Sequence, residues 1–95
     1  MITTRLPLTN KSGTITAGGT AQDVYPAAAS PKHYFLFQNV SDEGMTIDFG
    51  TPAVVGKGIL IAAGLAWEPP AGFLPQGRLS VVAATTGKAF VCKIA

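Results

Sequence analysis

The most reactive side chains in this sequence belong to its single histidine, His33, and its single cysteine, Cys92. A catalytic base or nucleophile needs a partner that activates it, and a zinc or cupin-like site needs several imidazole or thiolate ligands. One residue of each type leaves such a site with too few ligands. The sequence therefore predicts that His33 is a structural residue at a strand end and that Cys92 is a buried thiol.

Three carboxylates are close in sequence, at Asp42, Glu43 and Asp48. Carboxylate oxygens bind hard cations such as Ca²⁺, so a cation site or an acid–base pair is one interpretation. The other is a turn, because Ser41 and Asp42, followed by Gly44, are residues that bond their own backbone in type I turns. The turn is the favoured interpretation.

Glycine pairs occur at Gly18-Gly19 and on either side of Lys57, but neither predicts phosphate binding. A phosphate-binding loop needs the N-terminus of a helix directly after it, and no helical pattern follows. Together with the single histidine and cysteine, this predicts that the protein is not an enzyme. It predicts no catalytic residues, no metal site and no cofactor.

Four aromatic residues suggest binding rather than catalysis: Trp67, Tyr25, Tyr34 and Phe73. Their ring faces could form a surface on which sugars stack. The alternative is that Trp67 packs in the core or at a subunit contact, where large rings supply much of the energy. The second interpretation is favoured, and the sugar-binding surface stays open.

Short strands must position these residues. Glycine and proline interrupt the chain so often that only one 12-residue window, 32–43, is free of them. The segments between them are rich in Thr, Val, Ile and aromatic residues and show no helical periodicity. The predicted strands are residues 13–17, 20–25, 33–40, 45–49, 58–62, 65–68, 78–84 and 88–94. The fold class is therefore all-β, a single small antiparallel sandwich, jelly-roll-like or barrel domain whose strand order stays open.

Local patterns also predict how these strands are buried and joined. Residues 33–40 are apolar on successive positions, which is typical of a central strand buried on both faces. Residues 45–49 and 88–94 alternate, which predicts one inward face each. Turn residues at 16–20, 41–44 and 85–87 predict antiparallel joins between consecutive strands. The predicted core residues are Phe35, Leu36, Phe37, Ile47, Phe49, Ile59, Ile61, Val81 and Phe90.

Residues 1–12 differ from the single β-domain predicted at 13–95. They show no sustained periodicity, and Pro7 cannot donate to a strand ladder. We expect an extended N-terminal arm that reaches onto a neighbouring subunit or a partner. Leu6 and Leu8 are its candidate anchors.

A second candidate contact is the long uncharged loop at 69–77. It carries apolar residues where a solvated loop carries polar ones. Phe73 and Leu74 in this loop, with Trp67 just before it, complete the predicted partner contacts.

Composition limits the kinds of partner. Charged residues make up 13% of the chain, against about 25% in typical soluble domains. A domain of this size is only marginally stable by itself, so a charge-poor surface predicts cover by other copies or by a larger partner. The net charge of +2 is spread along the chain. It is too small to form the basic stripe that nucleic-acid binding needs.

The sequence also limits the cellular compartment in which the protein is expected. No apolar run reaches the roughly 18 residues of a membrane-spanning helix, and the first residues lack the apolar region of a signal peptide. We therefore expect no membrane association and synthesis in the cytoplasm without a secretory signal. One cysteine excludes an internal disulfide.

Four segments, at residues 37–41, 47–50, 58–61 and 84–90, resemble small all-β virion proteins of tailed bacteriophages. That group includes capsid decoration (cement) proteins and head-fibre or tail-appendage modules. The resemblance covers about residues 13–95 and lies in the pattern of strands and turns. It implies a structural role in the virion and brings no active-site residues.

What the resemblance implies is a decoration protein on the outer capsid surface that stabilises the shell, with the major capsid protein as its partner. It would be made in the host cytoplasm and located on the virion. We expect a homotrimer, because the proteins it resembles often sit on local three-fold axes. The alternative is a receptor- or glycan-binding module of a head or tail fibre, present in few copies.

Overall fold

The computed structural model of the protein describes residues 7–95. Within this range the chain forms nine strands and one 3₁₀ turn, Ala27–Ala29. The strands are β1 (Thr9–Asn10), β2 (Gly13–Thr14), β3 (Gln22–Tyr25), β4 (Phe35–Asn39), β5 (Met45–Phe49), β6 (Ile59–Ile61), β7 (Ala66–Trp67), β8 (Leu79–Val82) and β9 (Ala89–Ile94).

These strands form two antiparallel sheets that pack face to face as a small β-sandwich. The five-stranded sheet has the order β1-β9-β4-β7, and β2 pairs with another part of β9. The four-stranded sheet has the order β3-β8-β5-β6. The prediction of an antiparallel all-β domain is confirmed. Each of the eight predicted strands contains an observed strand, and the ninth observed strand, β1, was not predicted.

Part of the predicted arm lies on the sandwich itself. Thr9 in β1 is opposite Ile94, and the Lys11 amide donates to the Cys92 carbonyl over 2.8 Å. The Cys92 amide in turn donates to the Ser12 hydroxyl over 3.0 Å. Residues 9–12 therefore extend along the last strand of their own domain. Leu6 and the rest of residues 1–6 lie outside the described residues.

The three predicted turns are present, but the prediction that each joins two paired strands is wrong. Residues 16–20 lead from β2 to β3, residues 41–44 from β4 to β5 and residues 85–87 from β8 to β9. In each case the two strands belong to different sheets. The turn residues are as predicted, but turn chemistry fixes only the local reversal of the chain. Which strand pairs with which depends on contacts between residues distant in sequence.

Two of these crossover turns are held to the turn at 85–87 by hydrogen bonds. The Gly18 amide donates to the Thr86 hydroxyl over 2.9 Å. The Thr85 amide and hydroxyl donate to the two oxygens of the Glu43 carboxylate, each over 2.9 Å. A side chain at Gly18 would collide with the Ala84 carbonyl, so this position needs glycine for close approach of the two backbones.

The central position of β4 is as predicted, but its burial on both faces is wrong. Phe35, Phe37 and Asn39 point into the sandwich and are buried. Leu36 and Gln38, on the opposite face of the sheet, remain half-exposed. The aromatic run therefore follows the ordinary alternation of a strand with one buried face.

The strand that is buried on both faces is β8. Its outward residues, Ser80 and Val82, are covered because the segment at 50–58 folds back over the outer face of the four-stranded sheet. There the Ala53 amide donates to the Ser80 hydroxyl over 3.0 Å. This hydrogen bond gives the buried Ser80 hydroxyl a partner, and burying it without one would lower the stability of the fold.

The core lies between the sheets. Six of the predicted core residues are buried: Phe35, Phe37, Ile47, Ile61, Val81 and Phe90. The other three are partly buried: Phe49 and Ile59 pack against the core, whereas Leu36 faces outward from the sandwich. Buried residues that the prediction omitted include Ile15, Tyr25 and Leu79.

Candidate functional site

The predicted reactive residues are not gathered into a site. Among residues 7–95, no group of three or more His, Cys, Asp or Glu side chains is placed to hold a metal ion. Asp42 bonds Lys88 over 2.6 Å, whereas Glu43 accepts from Thr85. Asp48 accepts from the Phe49 amide over 2.8 Å. Each of the three carboxylates therefore makes a separate structural contact.

The Asp42–Lys88 pair also joins two of the crossover turns. A hydrogen bond to Lys88, aided by its charge, lowers the pKa of the Asp42 carboxyl. The same hydrogen bond raises the pKa of the Lys88 ammonium, against the opposing effect of partial desolvation. Asp42 is widely exposed to solvent, so this pair contributes little to stability.

Cys92 lies in the core on the inward face of β9, and His33 is exposed before β4. Burial raises the pKa of the Cys92 thiol to about 12, with the charge of Lys11 acting in the opposite sense. Tyr25, buried on β3, has its own pKa raised by burial and then by Cys92. Its hydroxyl has no hydrogen-bond partner among the described residues. Both groups are therefore neutral at physiological pH.

We expect Cys92 to be unreactive toward a thiol reagent at pH 8 in the folded protein. Raising the thiol pKa from 9.0 to about 12, a difference of about 3 units, lowers the thiolate fraction roughly 1000-fold. Because burial raises the thiol pKa, the contribution of the protonated Cys92 thiol to folding stability is fully present below pH 9. That contribution is lost as the pH rises toward 12. Absorbance after mixing with a chromogenic disulfide should show labelling only in denaturant. Rapid labelling without denaturant would contradict this burial.

A groove of about 430 Å³ lies at the opposite end of the sandwich from the crossover turns at 16–20, 41–44 and 85–87. One wall is the segment at 32–35, which leads into β4, and the other is the segment at 68–74, which follows β7. The two walls are neighbours because β4 and β7 pair, with Phe37 opposite Trp67.

The first wall is fixed by backbone hydrogen bonds. The amides of Lys32, His33 and Tyr34 all donate to the carbonyl of Ala95, over 3.0, 2.7 and 3.0 Å. The Ala95 amide donates back to the Tyr34 carbonyl over 3.1 Å. Three consecutive residues are thus held against the end of β9, so this side of the groove is preformed.

The second wall is shaped by a tight turn. The Phe73 amide donates to the Pro70 carbonyl over 3.0 Å, and Gly72 between them has φ +82°. A positive φ at the third residue is the mark of a type II turn and favours glycine there. The turn presents the Phe73 side chain to solvent, where 58% of its surface is exposed.

Polar groups stand on both walls. Tyr34 lies on the first wall and Glu68 on the second. Burial, and then the neighbouring Glu68 carboxylate, raise the pKa of Tyr34. The phenol therefore stays protonated at neutral pH. Lys32 and His33 are exposed beside it.

The predicted contact residues divide into two groups. Phe73 lines the groove, and Leu8 is 53% exposed just before β1. Leu74 lines the groove as well but is partly buried against the core. Trp67 packs its ring against Phe35, with centroids 5.8 Å apart, and so closes the core at the edge of the sheet.

Of the four aromatic residues considered for sugar binding, two meet at the groove. Tyr34 and Phe73 line it, whereas Tyr25 is inside the core. Lys32 and Glu68 are not among the predicted site residues, because nothing in their local sequence pattern indicates a site. Only the pairing of β4 with β7 brings them together.

Within residues 7–95, none of the helical structure is long and apolar enough to cross a membrane. Comparisons with models of protein families, with curated proteins and with solved structures found no match. The resemblance to tailed-phage virion proteins therefore stays a prediction.

Proposed function

We propose that this chain is a structural protein of a bacteriophage virion, a capsid decoration protein that binds the outer capsid surface and stabilises the shell. The observation that carries the proposal is the amount of apolar side chain left on the surface. Large hydrophobic residues between 47% and 69% exposed are Leu8, Val40, Val54, Val55, Leu60, Leu65 and Phe73. On a small domain with only 13% charged residues, these exposed apolar side chains support a role in assembly.

The structure offers two surfaces for attachment. The first is the arm, which carries exposed Leu8 and continues into β1 at the edge of the five-stranded sheet. The second is β6 at the edge of the other sheet, where Leu60 points outward and is 69% exposed. An uncharged edge strand is a place where another chain can add. We assign the arm to the capsid partner and the β6 edge to contacts between copies in a homotrimer.

Attachment of this kind stabilises a shell by mass action. A protein that binds the assembled capsid but not its separated subunits shifts the equilibrium toward assembly. This role needs no catalytic group. It fits a chain whose carboxylates Asp42, Glu43 and Asp48 each hold a structural contact.

The test combines copy number with a truncation. Cryo-electron microscopy of virions should place the chain on the outer capsid surface at a high and fixed copy number. Deleting residues 2–8 should weaken binding to capsids that lack the protein while leaving the domain folded. The deletion stops at residue 8 because Thr9–Asn10 form β1 and stabilise the last strand.

A point variant provides the matched control for the arm. Leu8→Ser removes one exposed apolar side chain, so it should weaken capsid attachment less than the deletion does and leave the melting temperature unchanged. Full capsid occupancy by the truncated protein would contradict the proposal, as would a monomer without affinity for capsids. A few copies located at a fibre would instead support the receptor-binding alternative.

A further inference from the structure

The groove between residues 32–35 and 68–74 combines an apolar base with a polar rim. Phe35 lies buried at its base, and Pro69 and Phe73 line one side. Tyr34 and Glu68 supply a hydroxyl and a carboxylate on the rim. Such a mixture of ring faces with a few placed polar groups is characteristic of small-molecule sites.

The charges at the groove limit what it can bind. Lys32 and Glu68 carry opposite formal charges, and His33 and Tyr34 are the other ionisable groups that line the groove. A site for phosphate or nucleic acid needs an excess of positive charge, and a site for a cation needs an excess of negative charge. The groove has neither excess. A neutral ligand that has both apolar and hydrogen-bonding surface fits this balance.

The volume of about 430 Å³ lies in the range of small-ligand sites, which run from roughly 300 to 1000 Å³. The turn at Gly72 fixes the backbone at Phe73 and leaves its ring open to solvent, although an apolar ring is more stable when covered. A ligand that covers the ring therefore gains apolar contact without rearranging the backbone.

We propose that this groove binds a neutral saccharide of one or two sugar units. The apolar face of a sugar ring stacks on Phe73, and the Glu68 carboxylate accepts hydrogen bonds from sugar hydroxyls. The Tyr34 hydroxyl, on the other wall of the groove, forms a further hydrogen bond with the sugar. Sugar binding does not depend on the capsid role proposed above, since it requires only the groove of the isolated domain.

The test is a titration of the isotope-labelled full chain with cellobiose and with N,N′-diacetylchitobiose, followed by NMR. At least one disaccharide should cause saturable shifts confined to the amides of residues 33–34, 68 and 71–74. Phe73→Ala should weaken this binding about tenfold. Glu68→Gln should weaken it too while keeping the shape of the side chain.

Val55→Ala is the matched control, because Val55 is 65% exposed but lies outside the groove. Its affinity for the disaccharide should equal that of the unaltered chain, and the spectra of all variants should show the same fold. The proposal fails if neither disaccharide gives saturable shifts or if Phe73→Ala binds as tightly as the unaltered chain.

Two further outcomes would reassign the groove. A synthetic peptide of residues 1–8 that saturates the same amides, while the sugars do not, would make the groove a docking site for the arm. Loss of capsid attachment in Phe73→Ala without any sugar binding would make Phe73 a partner contact. Either result overturns the saccharide proposal but leaves the capsid role standing.

Discussion

Phe37→Ala is expected to lower the free energy of unfolding by about 3–5 kcal/mol, the usual cost of removing a buried phenylalanine. Phe37 is fully buried on the inward face of β4 and stacks on Phe90, with ring centroids 5.3 Å apart. The alanine would leave a cavity between the two sheets that the paired backbone cannot close. Urea denaturation followed by tryptophan fluorescence measures this loss through the midpoint and slope.

Leu36→Ala provides the comparison for Phe37→Ala. Leu36 is the preceding residue on the same strand, but it faces outward and is half-exposed. Its removal should cost well under half as much as the removal of Phe37. Equal losses for the two variants would show that the alternation along β4 is wrong.

Asn39→Leu is expected to destabilise the protein by about 3 kcal/mol, because the substitution leaves several buried polar groups without partners. The Asn39 amide nitrogen donates to the carbonyls of Glu43 and Ile61, over 2.6 and 2.9 Å. Its side-chain oxygen accepts from the amide and the hydroxyl of Ser41, over 3.0 and 2.7 Å. One fully buried side chain thus joins β4, the turn after it and β6.

Two variants separate this hydrogen-bond network from simple packing. Gln38→Leu makes the same kind of change one residue earlier, on the half-exposed face, and should change stability by less than about 0.5 kcal/mol. Asn39→Asp keeps the oxygens that Ser41 uses but removes the donor to both carbonyls, so it should also destabilise. Stability of Asn39→Leu equal to that of the unaltered chain in urea denaturation would refute this network.

The groove and the Asn39 network share one property that limits prediction. Asn39 was part of a segment correctly placed on a strand, yet its partners include Ile61 on the other sheet. Tyr34 precedes β4 and Glu68 follows β7, and no local sequence pattern predicts that these two strands pair. A sequence pattern shows which way a side chain points from its own strand. It does not show which other strand that side chain meets.

The sequence by itself determined the positions of the strands and much of the core. The alternation at β5 and β9 reports one buried face directly, so Ile47, Phe90 and Cys92 are buried as the pattern requires. Glycine and proline positions fixed where the strands end, because these residues interrupt regular pairing wherever they occur. These features depend on neighbours along the chain.

Only the tertiary structure decided how those strands combine. The turns at 16–20, 41–44 and 85–87 cross between sheets rather than forming hairpins, and the segment at 50–58 covers β8 so that Ser80 is buried. The groove exists because β7 pairs with β4 across nearly thirty residues of chain. The physical reason is that pairing and cover are set by the total free energy of packing two sheets. Contacts between residues far apart in sequence outweigh local preference in that total.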